Sequence, residues 1–177
     1  MRIDAIAELD LTKAEDAAIG TLLDRAFGTD AGYRGRSYHK QRHHLRLTAY
    51  DGGALVGHLA MCFRVIAMGD SPVPIIGLAE VATDPAHRGR GVATALIEAA
   101  IARSRATTAE FILLFGDHPI YQRMGFQAKT CTIRYLGMTG GASTQIHTRV
   151  EPATRVLPLQ ETPWDDTVLI DLAGPIF

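Results

Sequence analysis

One segment, Val81-Ala82-Thr83-Asp84-Pro85-Ala86-His87-Arg88-Gly89-Arg90-Gly91-Val92-Ala93-Thr94-Ala95-Leu96, constrains this chain more than any other. It reads as a strand, a short glycine-rich loop and the start of a helix. The first turn of a helix leaves about four N–H donors without intrahelical partners, and the macrodipole makes that end partly positive. Gly89 and Gly91 bring no Cβ that would keep a diphosphate away from those donors. Arg88 and Arg90 place positive charge beside them. The segment therefore predicts an anion cradle of the phosphate-binding kind. It is not a Walker loop, because G-x-x-x-x-G-K-[ST] is missing, and it is not the G-x-G-x-x-G of a dinucleotide fold.

The composition narrows what such a cradle serves. With 177 residues, 47% apolar and 21% charged, the chain is expected to form a single domain over residues 1–177. A net charge of −1 argues against a general nucleic-acid binder, whose footprint is strongly basic. Cys62 and Cys131 have no C-x-x-C or histidine spacing and read as reduced, buried residues. No signal-peptide pattern follows Met1, and no apolar run approaches the length of a membrane span. A cytoplasmic protein with no membrane partner is the expectation.

Strand and helix signals alternate along the chain. Residues 3–9 predict an edge strand. Thr12 and Glu15 form a capping box for a helix over 13–27, with Ile19, Leu22, Leu23, Ala26 and Phe27 on its apolar face. A glycine-rich loop, 28–37, leads to a polar helix near 38–44. Asp51-Gly52-Gly53 joins 45–50 and 54–68 as a hairpin. Pro72 and Pro74 mark a turn before a strand over 75–83, and a helix spans 92–105. Phe111-Ile112-Leu113-Leu114-Phe115 is a strand covered on both faces. A short helix near 118–124 and strands over 126–137 and 166–172 follow, and glycines and prolines divide 138–165 into short extended pieces.

The order Arg88-x-x-Gly91-x-Ala93 after a strand ending in V-x-x-x-P resembles the acetyl-CoA loop of the GNAT N-acetyltransferases. A second stretch, Tyr121-Gln122-Arg123-Met124-Gly125-Phe126, is similar to the Y-x-x-x-G-F element of that superfamily. The resemblance covers roughly residues 45–136. It implies an α/β fold: a mixed, mostly antiparallel sheet with splayed parallel strands four and five, flanked by helices. It further implies acetyl-CoA as co-substrate, no metal, and a small-molecule amine or peptide amine as acceptor, and it admits a homodimer. Arg88, Gly89, Arg90, Gly91, Val92, Ala93 and Thr94 would bind the pyrophosphate of CoA. The tail, Val156–Leu159 and Ile170–Phe177, looks similar to the aminoglycoside 2'-N-acetyltransferases, but Pro175 and Phe177 depart from that pattern.

Acetyl transfer to an amine needs a deprotonated amine, a polarised thioester carbonyl and a proton for the departing thiolate. The resemblance assigns the pantetheine arm to the backbone of Val81, Ala82 and Thr83, with the Val81 N–H on the thioester carbonyl. Tyr121 is the candidate proton donor and Glu80 the candidate base. Asp117 either contacts CoA or caps the helix that follows it. His39 and His43 share an i,i+4 spacing that suits a metal on a helix, but no third ligand accompanies them, and Lys40, Arg42 and Arg46 predict a solvated basic face instead. His58 reads as a satisfied strand residue, and His87 as a residue that shapes the loop.

Overall fold

The computed structural model describes the backbone of residues 1–177 and every side chain except that of Thr29. Its residues fall into two compact units, Met1–Cys62 with Ala79–Ala102 and Phe63–Leu78 with Arg103–Phe177. Two long strands, β3 (Ala54–Met68) and β4 (Ser71–Thr83), contribute residues to both.

In the first unit, β1 (Arg2–Ala7) pairs antiparallel with β2 (Leu45–Asp51), and β2 with β3. The predicted hairpin turn forms, with Gly52 and Gly53 both at positive φ (55° and 85°). Helix α1 (Lys13–Phe27) starts on the expected capping box: Glu15 N–H donates to Thr12 Oγ1 at 3.2 Å, and Thr12 N–H donates to Glu15 Oε2 at 2.9 Å. Ile19 and Leu23 of this helix pack with Tyr33 and Ala82. Helix α2 (Val92–Ser104) lies directly on β3, because a Cβ added at Gly57 would come within 2.4 Å of Val92 Cγ1 and 2.9 Å of Leu96 Cδ1.

Residues 38–44 do not form the predicted helix. The backbone there is used by other partners. His44 C=O accepts from Glu8 N–H and His44 N–H donates to Met61 C=O, each at 3.0 Å, which draws the end of the segment into the sheet. An i,i+4 helical arrangement of His39 and His43 is therefore excluded.

In the second unit the strand order is β6-β9-β5-β4-β3-β10-β7-β8, comprising β5 (Phe111–Phe115), β6 (Gln127–Ala128), β7 (Cys131–Thr139), β8 (Ala142–Glu151), β9 (Thr154–Pro158) and β10 (Ile170–Asp171). β4 and β5 run parallel, and their pairing is confined to Ile75–Gly77 against Phe111–Leu113. This is the mixed sheet with parallel fourth and fifth strands that the sequence led us to expect. The core of this unit gathers Ile66, Val73, Ile75, Phe111, Leu113, Ile133, Val156, Ile170 and Leu172. The described residues contain no helix long and apolar enough to cross a membrane.

Several expected boundaries are corrected. Pro72 and Pro74 lie inside β4, the turn being made by Gly69 (φ 60°) and Asp70. Proline's missing donor is tolerated at a strand's beginning. The predicted strand 126–137 breaks in two because its halves serve different partners, β6 pairing with β9 and β7 with β8 and β10. The region 138–165, expected as short pieces, holds the β7–β8 hairpin, turning at Gly140-Gly141, and β9. The expected 166–172 strand shrinks to Ile170–Asp171.

The contact of α2 with β3 generates a prediction. Gly57→Ala forces a methyl against Val92 and Leu96 and should destabilise the protein by about 1–3 kcal/mol, the usual cost of overpacking. Denaturant unfolding should show a lower midpoint with an unchanged slope; an unchanged midpoint would show that the interface is not close-packed here.

Candidate active site

The loop expected to cradle an anion belongs to the first unit. At the end of β4, Asp84 N–H donates to Val56 C=O at 2.9 Å, which fixes where the chain leaves the sheet. The Asp84 carboxylate is nearly inaccessible; it accepts from Ala86 N–H at 2.9 Å and pairs with Arg25 at 2.7 Å. Burial alone would raise its pKa, but the Ala86 N–H, His87 and Arg25 outweigh that and hold it below the ordinary aspartate value. A single 3₁₀ turn, Pro85–His87, follows, and His87 N–H returns to Asp84 C=O at 2.8 Å.

Beyond the turn, Gly89 and Gly91 take φ of 75° and 78°, and a Cβ at either would meet no protein atom within 4 Å. Their positive φ is the conformation that only glycine adopts without strain. The first α2 hydrogen bond in the chain runs from Ala95 N–H to Gly91 C=O at 3.0 Å. The N–H groups of Val92, Ala93 and Thr94 precede it and are the orphan donors of that helix end. Arg90 is exposed. Arg88, expected beside the anion, donates from Nη2 to Ala26 C=O at 2.8 Å. It therefore braces the loop against the last turn of α1, where a cation also meets the negative end of the helix dipole.

Glu80, next to Val81 in the chain, belongs to an ionic cluster around a buried Arg46 that the sequence did not reveal. Arg46 has no exposed side-chain surface. Its Nε and Nη2 donate to Glu8 at 2.7 and 3.1 Å, and its Nη1 donates to Ser37 C=O at 2.6 Å and Glu80 Oε2 at 3.0 Å. Arg42 spans Glu8 and Asp16 at 2.9 and 3.0 Å. Arg46 is therefore not part of the solvated basic face expected from the run Lys40–Arg46, whereas Arg42 is paired but remains exposed. Glu80 is only 5% exposed in its side chain, and its Oε1 accepts from His39 N–H at 2.8 Å. His43 Nε2 sits 3.2 Å from the same oxygen, close enough for charge pairing but off the line of a well-formed hydrogen bond.

Glu80 is also a backbone outlier. It has φ 54° in the middle of a strand, a conformation that costs a residue other than glycine of order 1–3 kcal/mol. His58, fully buried on β3, places Nδ1 3.0 Å from the Glu80 carbonyl oxygen. Burial would raise the Glu80 carboxyl pKa, but His43, His58 and Arg46 together hold it below the ordinary range. A carboxylate with both oxygens engaged and a lowered pKa is a poor proton acceptor. The structure thus places the candidate base Glu80 as an ion-pair partner, with Oε1 on the His39 N–H and Oε2 on Arg46.

In the second unit, α3 (Pro119–Arg123) carries Tyr121. Gly125 at φ 90° ends this turn, and Phe126 N–H donates to Tyr121 C=O at 3.0 Å, so that Phe126 enters the core 3% exposed. The Tyr121 ring packs edge-on to Phe126 at 6.0 Å between centroids, and a Cβ at Gly116 would touch it at 3.0 Å. Burial raises the phenol pKa, keeping it protonated at neutral pH. Asp117 is exposed, and the helix cap is His118, whose Nδ1 accepts from Ile120 N–H at 3.2 Å. The capping role considered for Asp117 is thereby corrected. In the tail, Arg64 Nη1 donates to Pro175 C=O at 2.6 Å and its guanidinium lies 5.4 Å from the Phe177 ring, which closes over Gly77.

An acetyltransferase (GNAT) domain family matches residues 10–128, well over half of the chain. The chain belongs to the GNAT acetyltransferase family. Among solved structures, the GNAT family N-acetyltransferase YhbS from Escherichia coli, crystallised with CoA, is similar at 22% identity and a TM-score of 0.67, over 97% of this chain and 90% of that one. A GNAT family acetyltransferase from Brucella melitensis in complex with acetyl-CoA is similar at 21% identity and a TM-score of 0.60, over 96% and 94%. An acyl-CoA N-acyltransferase from Pseudomonas aeruginosa follows at 18% identity and 0.58, over 88% and 96%. At such identities the likeness is one of fold. No curated protein sequence matches the chain.

The buried cluster sets a pH dependence. Burial and the neighbouring Arg46 push the His58 imidazole down to about 4, against about 6.5 when unfolded. The unfolded chain therefore binds a proton that the folded one refuses. The associated stability is present above pH 6.5 and is lost as pH falls toward 4. Glu8, Asp16 and Glu80 are held below their ordinary values, so their contribution is lost only below about pH 4.5. Urea midpoints should thus begin to fall between pH 6.5 and 4.5 and fall more steeply below. A flat profile from pH 7 to 5 would contradict a buried neutral His58.

Proposed function

We propose that the protein is an acetyl-CoA-dependent N-acetyltransferase in which a primary amine attacks the thioester directly. The observation that carries this reading is the cradle. Two left-handed glycines, with open space where a Cβ would stand, precede the orphan amides of α2 in a chain of the GNAT family. The CoA pyrophosphate lies against the amides of Arg88 to Thr94, Arg90 supplies positive charge, and Arg88 keeps the loop in place. Val81, Ala82 and Thr83 hold the pantetheine arm, with the Val81 N–H polarising the carbonyl, and Asp117 contacts CoA.

As the tetrahedral intermediate collapses, the C–S bond breaks and the thiolate takes a proton from the Tyr121 phenol. The phenol is protonated at neutral pH, as a donor to the departing thiolate must be. Glu80 contributes by position rather than as base; the amine's proton passes to solvent, and solvent returns a proton to the Tyr121 phenolate. The acceptor is a small amine or a peptide amine. The protein acts in the cytoplasm.

The test follows CoA thiol release from acetyl-CoA across a panel of amines. Release that depends on an amine is expected; CoA binding with no release toward any amine would make the protein a binding module instead. With an active amine in hand, Tyr121→Phe should lower kcat about 10²–10⁴-fold while CoA affinity is retained. Unchanged kcat across the pH range would remove Tyr121 from the mechanism.

A further inference from the structure

We propose that His58 is a positioning residue for acyl transfer: by holding the Glu80 carbonyl it aims the Val81 N–H, the other end of the same peptide unit, at the thioester carbonyl. The proposal rests on the acetyltransferase reading above.

A trans peptide is planar, with its C=O and N–H pointing in opposite directions. No peptide bond among the described residues is cis, so the Glu80–Val81 unit is such a plane. Whatever fixes the Glu80 oxygen therefore fixes the Val81 N–H. His58 Nδ1 lies 3.0 Å from that oxygen and has no exposed surface. A carbonyl oxygen only accepts, so Nδ1 carries the proton, and in a neutral ring Nε2 is left as an acceptor. The nearest charged donor suits that tautomer: Arg46 Nη1 makes a long contact with Nε2 at 3.4 Å.

The need for such a pin is visible in the backbone. Glu80 at φ 54° occupies a region that a residue other than glycine keeps only when its surroundings over-determine it. Here both ends of the residue are held. Arg46 and the His39 N–H hold the carboxylate at 3.0 and 2.8 Å, and His58 holds the carbonyl. A hydrogen bond to the carbonyl also polarises the amide and strengthens the N–H at its far end as a donor. His58 thus both aims Val81 and sharpens it, without touching a substrate.

Two substitutions separate this role from mere packing. In His58→Asn the amide nitrogen falls where Nδ1 stood and can still donate to Glu80. In His58→Gln the amide falls nearer Nε2, so the contact with Arg46 survives and the pin does not. We expect His58→Gln to lower kcat about 10–100-fold with CoA affinity within about threefold of wild type, a smaller loss than the 10²–10³-fold that follows complete removal of such a donor. His58→Asn should restore kcat to within a few fold. Equal losses in both variants, or none in His58→Gln, would overturn the proposal.

A measurement on the unmodified protein guards against variants that do not fold. Nitrogen NMR of His58 should show the neutral Nδ1–H tautomer in slow exchange, and finding the Nε2–H tautomer would overturn the proposal. If the wild type transferred no acetyl group to any amine, the acetyltransferase reading would fail. The tautomer, and faster Val81 amide exchange in His58→Gln than in His58→Asn, would still report whether the pin exists.

Discussion

A guanidinium with no exposed surface stands at the centre of the first unit, and the local geometry around β4 follows from how its charge is satisfied. Arg46 is surrounded by Glu8, Glu80 and the Ser37 carbonyl. A buried charge left unpaired is prohibitively costly, so these groups must converge for the chain to fold. Convergence ties the end of β1, the loop before β2, and β4 to one point. Such a cluster adds little net stability over an apolar one, since desolvation offsets most of the Coulombic gain. What it does fix is where the three segments meet, at Arg46.

That arrangement places a strained residue where the proposed chemistry needs it. Glu80 takes a left-handed conformation within a strand, held through its carboxylate by Arg46 and through its carbonyl by His58. The chain then runs to Asp84, is locked there by Arg25 and the Val56 carbonyl, and opens into the glycine loop and α2. Gly57 lets α2 sit close on β3, so the helix whose orphan amides face the loop is itself fixed against the sheet. The amides at the start of the helix are thus held by protein contacts alone, the kind of fixed donor array that electrostatic stabilisation uses.

The parts legible in the sequence were those whose cause is local. Gly89 and Gly91 before an apolar helix, Thr12 with Glu15, Asp51-Gly52-Gly53, and the turn that Gly125 ends ahead of Phe126 each carry their reason within a few residues, and each forms the local backbone expected of it. The ionic cluster was illegible because its partners lie 38 and 34 positions from Arg46. Seen alone, Lys40, Arg42 and Arg46 look like a solvated face, and Glu80 looks like a free carboxylate available as a base. The helix expected near 38–44 failed for the same reason: its backbone groups are claimed by Glu8, Met61 and Glu80, all distant in sequence. A left-handed glutamate has no local signal at all, since glutamate does not favour that conformation.

The most direct test of this account is a crystal structure of the protein with bound CoA. The pyrophosphate is expected on the amides between Arg88 and Thr94, with Glu80 still left-handed between Arg46 and His58. The Val81 N–H should be directed at the thiol end of the pantetheine arm. CoA bound away from the loop, or Glu80 in an ordinary extended conformation with its carbonyl released from His58, would contradict it.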